Sequence, residues 1–164
     1  MLHLKNNPII GAIGPLTNNI GNEAKLPVNY ATMEEMITTS RALKTGYRGR
    51  YFETNVVAYF AVMFRQRDMD AFGLLSLDYG RGMFEDDDHC NMIKSKGFIC
   101  AVAEDAFIHH HLSATFSKIN DVERQKLFDD NKATYESKWG KWQAHKYRED
   151  RPQSDLQFPN DDLL

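Results

Sequence analysis

Apolar residues come in short bursts along this chain, and polar stretches rich in Gly, Pro and Asn separate them. Residues 9–14 form an apolar, glycine-containing run closed by Gly14-Pro15, the pattern of a short buried strand. Residues 16–29, with Asn18, Asn19, Gly21 and Asn22, read as a loop. Thr32 and Glu35 have capping-box spacing. Met33, Met36, Ile37 and Leu43 follow at near-helical intervals, and Gly46 ends the helix. Residues 47–54 are polar and basic and predict a loop. Residues 56–64 are apolar on both faces and predict a strand in the middle of a layered sheet. Residues 67–72 predict a helical turn stopped at Gly73, and residues 74–83 a loop holding Gly80 and Gly82. Asp86 or Asp87 is placed to cap a helix that runs to about Lys96, with Gly97 as its stop. Residues 98–103 and 106–109 read as strand pieces. Asn120 and Glu123 repeat the capping spacing, and Leu127, Phe128, Asn131 and Tyr135 share one face of a helix ending near Gly140. Strands alternating with helices predict an α/β class.

Composition narrows the picture. The 164 residues suffice for one domain with its own core, and 42% hydrophobic with 26% charged residues is ordinary for a globular chain. A net charge of −3 leaves no basic footprint, so nucleic acid is not an expected partner. The longest apolar run, residues 55–64, falls far short of the roughly 20 residues that span a bilayer, so no transmembrane segment is expected. Cys90 and Cys100 make no disulfide framework, and a reduced cytoplasmic setting is the default expectation. The expected domain covers residues 1–147. From Arg148 to residue 164 the chain is polar and acidic, with Pro152 and Pro159, and predicts a tail that is poorly ordered or draped over the surface.

Candidate chemistry gathers in two places. Glu85-Asp86-Asp87-Asp88 sets carboxylates side by side, and about twenty residues later comes His109-His110-His111. A helix N-terminus accounts for one or two acids through its dipole and free N–H groups, but not easily for all of them. A crowded carboxylate gains a raised pKa and suits a general base; the alternative is a metal ligand. In an extended segment His109 and His111 share one face and His110 the other, and neutral imidazole suits divalent transition ions. The surface reading is that they bond to backbone instead. Gly80-Arg81-Gly82 fits a turn needing positive φ, or close approach to a ligand with Arg81 free for a phosphate or carboxylate. Trp139 and Trp142 fit a core closure better than a sugar-stacking platform, and Cys90 fits the buried face of its helix.

In this order the pieces resemble the C-terminal half of a family 2 glycosyltransferase. Ile13-Gly14-Pro15-Leu16-Thr17-Asn18-Asn19 is similar to the family's Gly-Pro-x-Ser/Thr-Asn strand and loop. Ala58-Tyr59-Phe60-Ala61-Val62-Met63-Phe64-Arg65 is similar to the strand that precedes its short helix. Phe72-Gly73-Leu74-Leu75 and Asp78-Tyr79-Gly80-Arg81-Gly82 resemble its glycine loop, and Phe84-Glu85-Asp86-Asp87-Asp88 its acidic motif. Residues 106–116 resemble its histidine segment, and Asn131-Lys132 with Lys138-Trp139-Gly140 the closing helix of polysaccharide-type members. The resemblance covers residues 8–147.

It implies a partial A-type glycosyltransferase fold lacking the N-terminal nucleotide-binding βαβ units. It implies inverting transfer from a nucleotide-diphosphate sugar to a glycan or lipid-linked acceptor hydroxyl. Asp86 would be the base, Glu85 or Asp87 would orient it, and Asp88 would hold the helix start or the acceptor. Gly80, Arg81, Gly82, Asn18 and Asn19 would line the substrate site. His110, or else His109 and His111, would help bind a divalent cation (Mn²⁺ or Mg²⁺), expected only with a complete donor site.

The chain also departs from the family pattern. No Asp-x-Asp precedes Ile9; Asp68-Met69-Asp70 and Asp86-Asp87-Asp88 match it in the wrong context, and the family's Arg near Met92 is missing. Taken alone the chain is expected to bind donor poorly, to leave a sheet edge open to a second copy, and to lie in the cytoplasm or at the membrane periphery. The runner-up is a non-catalytic binding or assembly module, and the third choice a metal hydrolase using the acids with His109 and His111. The common expectation is that Asp86 and His110 meet at one cleft.

Overall fold

β1 (Ile10–Leu16) is buried along its whole length because it lies inside the sheet, parallel to β4 (Ile99–Phe107). The computed structural model describes residues 2–111 and 120–148. Its sheet has the order β2-β4-β1-β3, with β2 (Tyr51–Thr54) antiparallel to β4 at one edge and β3 (Met63–Phe64) antiparallel to β1 at the other. The helices are α1 (Leu2–Asn6), α2 (Met33–Gly46), α3 (Gln66–Phe72), α4 (Glu85–Ser95) and α5 (Asp121–Trp139). A 3₁₀ turn spans Leu77–Tyr79. The molecule is α/β, as the alternation of elements predicts.

The pleat explains why residues 98–103 are apolar throughout. Cys100 and Val102 pack with Ala12 and Leu16, while Ala101 and Ala103 pack with Leu4, Ile10 and Ile13 on the other side. Helix α4 adds Cys90 and Ile93, and α2 adds Leu43. The approach of α4 to β1 requires glycine: a Cβ on Gly11 would stand 2.6 Å from Cγ2 of Ile93 and 2.9 Å from Cβ of Phe98. Pro15 sits within β1 at no cost to the ladder with β3, because β3 pairs only with Ala12 and Ile13.

The expected capping box is present. Oγ1 of Thr32 accepts from the Glu35 amide at 3.2 Å, and Oε2 of Glu35 accepts from the Thr32 amide at 3.1 Å. Asn120 caps α5 by accepting from the Glu123 amide at 2.9 Å, and α5 ends at Gly140.

Several expectations are corrected. Residues 56–64 are not a central strand, since only Met63–Phe64 pairs and it lies at the edge. The backbone there is satisfied by side chains instead of a ladder: Nζ of Lys94 donates to the Asn55 carbonyl and Nδ2 of Asn22 to that of Val56, both at 3.1 Å. The segment read as a basic loop contains β2, an edge strand whose Tyr51 and Phe52 pack on opposite faces of the sheet, with Glu53 exposed. The two strand pieces after Gly97 are one strand, because Glu104 and Asp105 find partners: Arg50 and Arg148 for Glu104, His3 and the Gly49 amide for Asp105. Neither Asp86 nor Asp87 caps α4. The helix starts at Glu85, and Phe84 holds the cap position in a left-handed conformation. Helix α1 was not expected. The Arg65 guanidinium ties it down by donating to the carbonyls of Leu4 at 2.8 Å and of Pro8 and Ile10 at 2.7 Å. Arg148, placed in the tail by composition, is anchored on Glu104; the tail from residue 149 lies outside the described residues.

Candidate functional site

Helix α4 is joined to β4 by a three-residue turn and packs against it, so the two run antiparallel. That brings the acidic start of α4 to the carboxyl end of the parallel pair, where open α/β sheets hold their ligands. The chain arrives there under strain. Gly80 and Gly82 take φ of 56° and 111°, and two non-glycine residues follow at φ 74° (Met83) and 72° (Phe84). The strained turn is held from α5. The buried amide nitrogen of Asn131 lies 2.8, 2.7 and 3.1 Å from the carbonyls of Tyr79, Gly82 and Met83. The Phe84 ring packs on Phe128, Tyr135 and Trp142.

The acidic run divides its labour. Oδ1 of Asp88 accepts from the Tyr79 hydroxyl at 3.0 Å and from Nε1 of Trp139 at 2.7 Å, which binds the glycine turn and α5 to the start of α4. Oδ1 of Asp87 accepts from Nε1 of Trp142 at 3.1 Å and Nε2 of His145 at 2.8 Å. Both tryptophans therefore close the structure over the acids. Asp86 accepts from the Asp87 amide at 3.0 Å, and no side-chain donor among the described residues engages it. Burial first, then the charges of Asp87 and Glu85, push its carboxyl up to about 7. Oε2 of Glu85 is buried without a hydrogen-bond partner among the described residues. A carboxyl poised near 7 is half ionised at neutral pH and can take a proton from a hydroxyl.

The histidines split as the alternation predicts. The rings of His109 and His111 stand 4.3 Å apart, and Nδ1 of His109 is 2.5 Å from the Tyr30 hydroxyl. His110 turns the other way and stacks on Phe60 at 4.4 Å. Its backbone N–H donates to Oδ1 of Asn18 at 2.7 Å, and its Nδ1 is 2.8 Å from the Asn19 carbonyl. A carbonyl only accepts, so Nδ1 carries the proton and Nε2 is left as the lone-pair nitrogen of the neutral ring. Asn18 and Asn19 thus position His110.

Tyr59 and Phe60 are consecutive, and they link the two motifs. Phe60 meets His110, while the Tyr59 hydroxyl lies 2.7 Å from Nδ1 of His89 on α4. Burial, Cys90 and Cys100, and then the Asp86 charge, all raise the Tyr59 phenol. Cys90 itself is fully buried and packs with Val57, as expected for the inner face of the helix. Arg81 is engaged at the surface, where it pairs with Glu123 of α5 at 3.1 Å. Among the described residues, no three His, Cys, Asp or Glu side chains gather closely enough to share a metal ion.

His145, Asn131 and Tyr59 were not singled out as site residues by sequence reasoning. His145 carried one faint signal, its position three residues after Trp142 in an otherwise polar stretch. Comparison with known proteins found no matching family model, curated protein or solved structure.

Proposed function

We propose that the start of α4 is the acceptor side of an inverting sugar transferase. Asp86 takes the proton of an acceptor hydroxyl, and the resulting oxygen attacks the anomeric carbon of a nucleotide-diphosphate sugar. The bond from that carbon to the diphosphate breaks, the electron pair leaves with the diphosphate, and the configuration inverts. The observation that carries this reading is Asp86 itself: a buried carboxyl at about 7, followed by two acids that are tied down, at the carboxyl end of the parallel strands. Asp87 and Glu85 orient it and raise its basicity. Asp88 holds the helix start through Tyr79 and Trp139. Gly80 and Gly82 bring backbone close to the site, with Arg81 beside them for an anionic group that displaces Glu123. A Mn²⁺ or Mg²⁺ ion, held in part by Nε2 of His110, would offset the charge on the leaving diphosphate. The acceptor is a glycan or lipid-linked hydroxyl compound.

The test is release of nucleoside diphosphate from a panel of nucleotide sugars with Mn²⁺ and hydroxyl acceptors, by the chain alone and with a nucleotide-binding half supplied. Turnover is expected to fall about 100-fold or more in Asp86→Asn, the range for losing a general base. Turnover equal to wild type rejects Asp86 as the base. Acceptor binding with no turnover under any condition favours a non-catalytic binding module.

A further inference from the structure

After Gly140 the chain runs as a strap without helix or strand up to Arg148. It is fixed at both ends. At one end the Trp142 amide donates to Oε1 of Glu136 at 3.1 Å and the Trp142 ring packs on Phe84 and Phe128. At the other, Arg148 donates to Oε1 of Glu104 at 3.0 Å and lies over Phe52, and the Lys25 ammonium sits 5.0 Å from the Tyr147 ring centre. Between these anchors the strap lowers His145 onto the start of α4, where it shares Oδ1 of Asp87 with Trp142.

We infer that His145 is a positioning residue for Asp86: it gives Asp87 a cationic donor, fixes Asp87 as the anchored carboxylate and leaves Asp86 to exchange the proton. The Trp142 N–H alone would tie Asp87 in place, so a second donor that can carry charge has electrostatic work to do. Among the described residues, the ionisable groups around the cluster are Glu85, Asp86, Asp87, Asp88, His89 and Cys90 of α4, Tyr59, Glu23, and Tyr135, Lys132 and Lys138 of α5. Most are acidic; Lys138 engages Asp88, Lys132 engages Glu136 and His89 bonds Tyr59, while His145 is the group that brings positive charge to Asp87 itself. The Asp87 hydrogen bond is the main cause raising its imidazole, and the charges of Asp87, Asp86 and Glu23 act in the same direction against burial. This inference rests on the reading of Asp86 as the base, and its test separates the two.

The experiment is a carboxyl ¹³C and imidazole titration of the whole chain from pH 4 to 9, in wild type, His145→Gln and Asp86→Asn. Glutamine keeps a donor for Asp87 and removes the charge. In His145→Gln the melting temperature at pH 9 is expected to stay near wild type while the Asp86 midpoint moves up by about half a pH unit or more, as loss of a neighbouring charge requires. An Asp86 midpoint near 7 in wild type that does not move in His145→Gln would make His145 a simple tether and overturn the inference while sparing the base. A wild-type midpoint near 4 would remove the base and the inference together. The reciprocal variant gives a second reading, since Asp86→Asn is expected to lower the His145 midpoint. An unchanged His145 midpoint there overturns the coupling.

Discussion

At the residue scale, burying Asp86 beside Asp87 and Glu85 costs the fold stability. Its carboxyl holds a proton to about 7 in the native state, whereas an unfolded aspartate releases it near 4. Native protein therefore binds more protons between those values, and stability falls as pH rises from about 4 to about 7. The loss is on the order of 2–4 kcal/mol for a shift of that size, shared among coupled acids. Asp86→Asn should flatten this dependence and raise stability at pH 8 by about 1–3 kcal/mol while lowering the proposed transfer about 100-fold or more. Urea unfolding at pH 5 and pH 8 checks it; a mutant less stable than wild type at pH 8 would show that the burial penalty is absent. Asn131 works the other way. Its amide serves three loop carbonyls, and Asn131→Ala should lose about 2–3 kcal/mol by leaving them without that donor. A denaturation midpoint within error of wild type would refute that role.

At the element scale, the strain before α4 is local and removable. Met83 pays for a left-handed backbone, so Met83→Gly should stabilise the chain by about 1 kcal/mol, read by calorimetry. A destabilised Met83→Gly would mean that the Met83 side chain contributes more than its backbone costs. The elements legible in the sequence are those whose signals are local. The Thr32 and Asn120 caps set the starts of α2 and α5, and Gly73 and Gly140 mark the ends of α3 and α5. Residues 56–64 misled because their apolar character reflects burial beside α4, and the donors to carbonyls 55 and 56, Lys94 and Asn22, lie more than thirty residues away. Strand β2 was masked by its four-residue length and by the basic residues Arg48 and Arg50 just before it. Helix α1 depends on Arg65, which nothing near residues 2–6 announces. In the site, the acids and histidines were legible as residue types, and the split between His110 and its neighbours followed from alternation. The division between Asp86 and its anchored neighbours was not, because Trp139, Trp142 and His145 reach back across more than fifty residues.

At the scale of the whole molecule, the start of α4 is a junction of four parts: the glycine turn, α5, the strap and the segment carrying Tyr59 and Phe60. The pH response of the fold is expected to reflect that junction. His145 has a raised native pKa, so its contribution is complete below its ordinary value of about 6.5 and is lost as pH rises through the raised one. Asp86 acts in the same direction. The Asp105 carboxyl is held below its ordinary value, its burial outweighed by the Gly49 amide and His3 together, so its contribution is lost only in stronger acid. The melting temperature should therefore be highest near about pH 4 and decline toward pH 8.5, and a profile that rises through that range would contradict the arrangement. The most direct measurement is the ¹³C titration of the Asp86 carboxyl in the wild-type chain. A midpoint near 7, well above the exposed aspartates, is the expected result; a midpoint near 4 among them would contradict the proposal that α4 begins with a base.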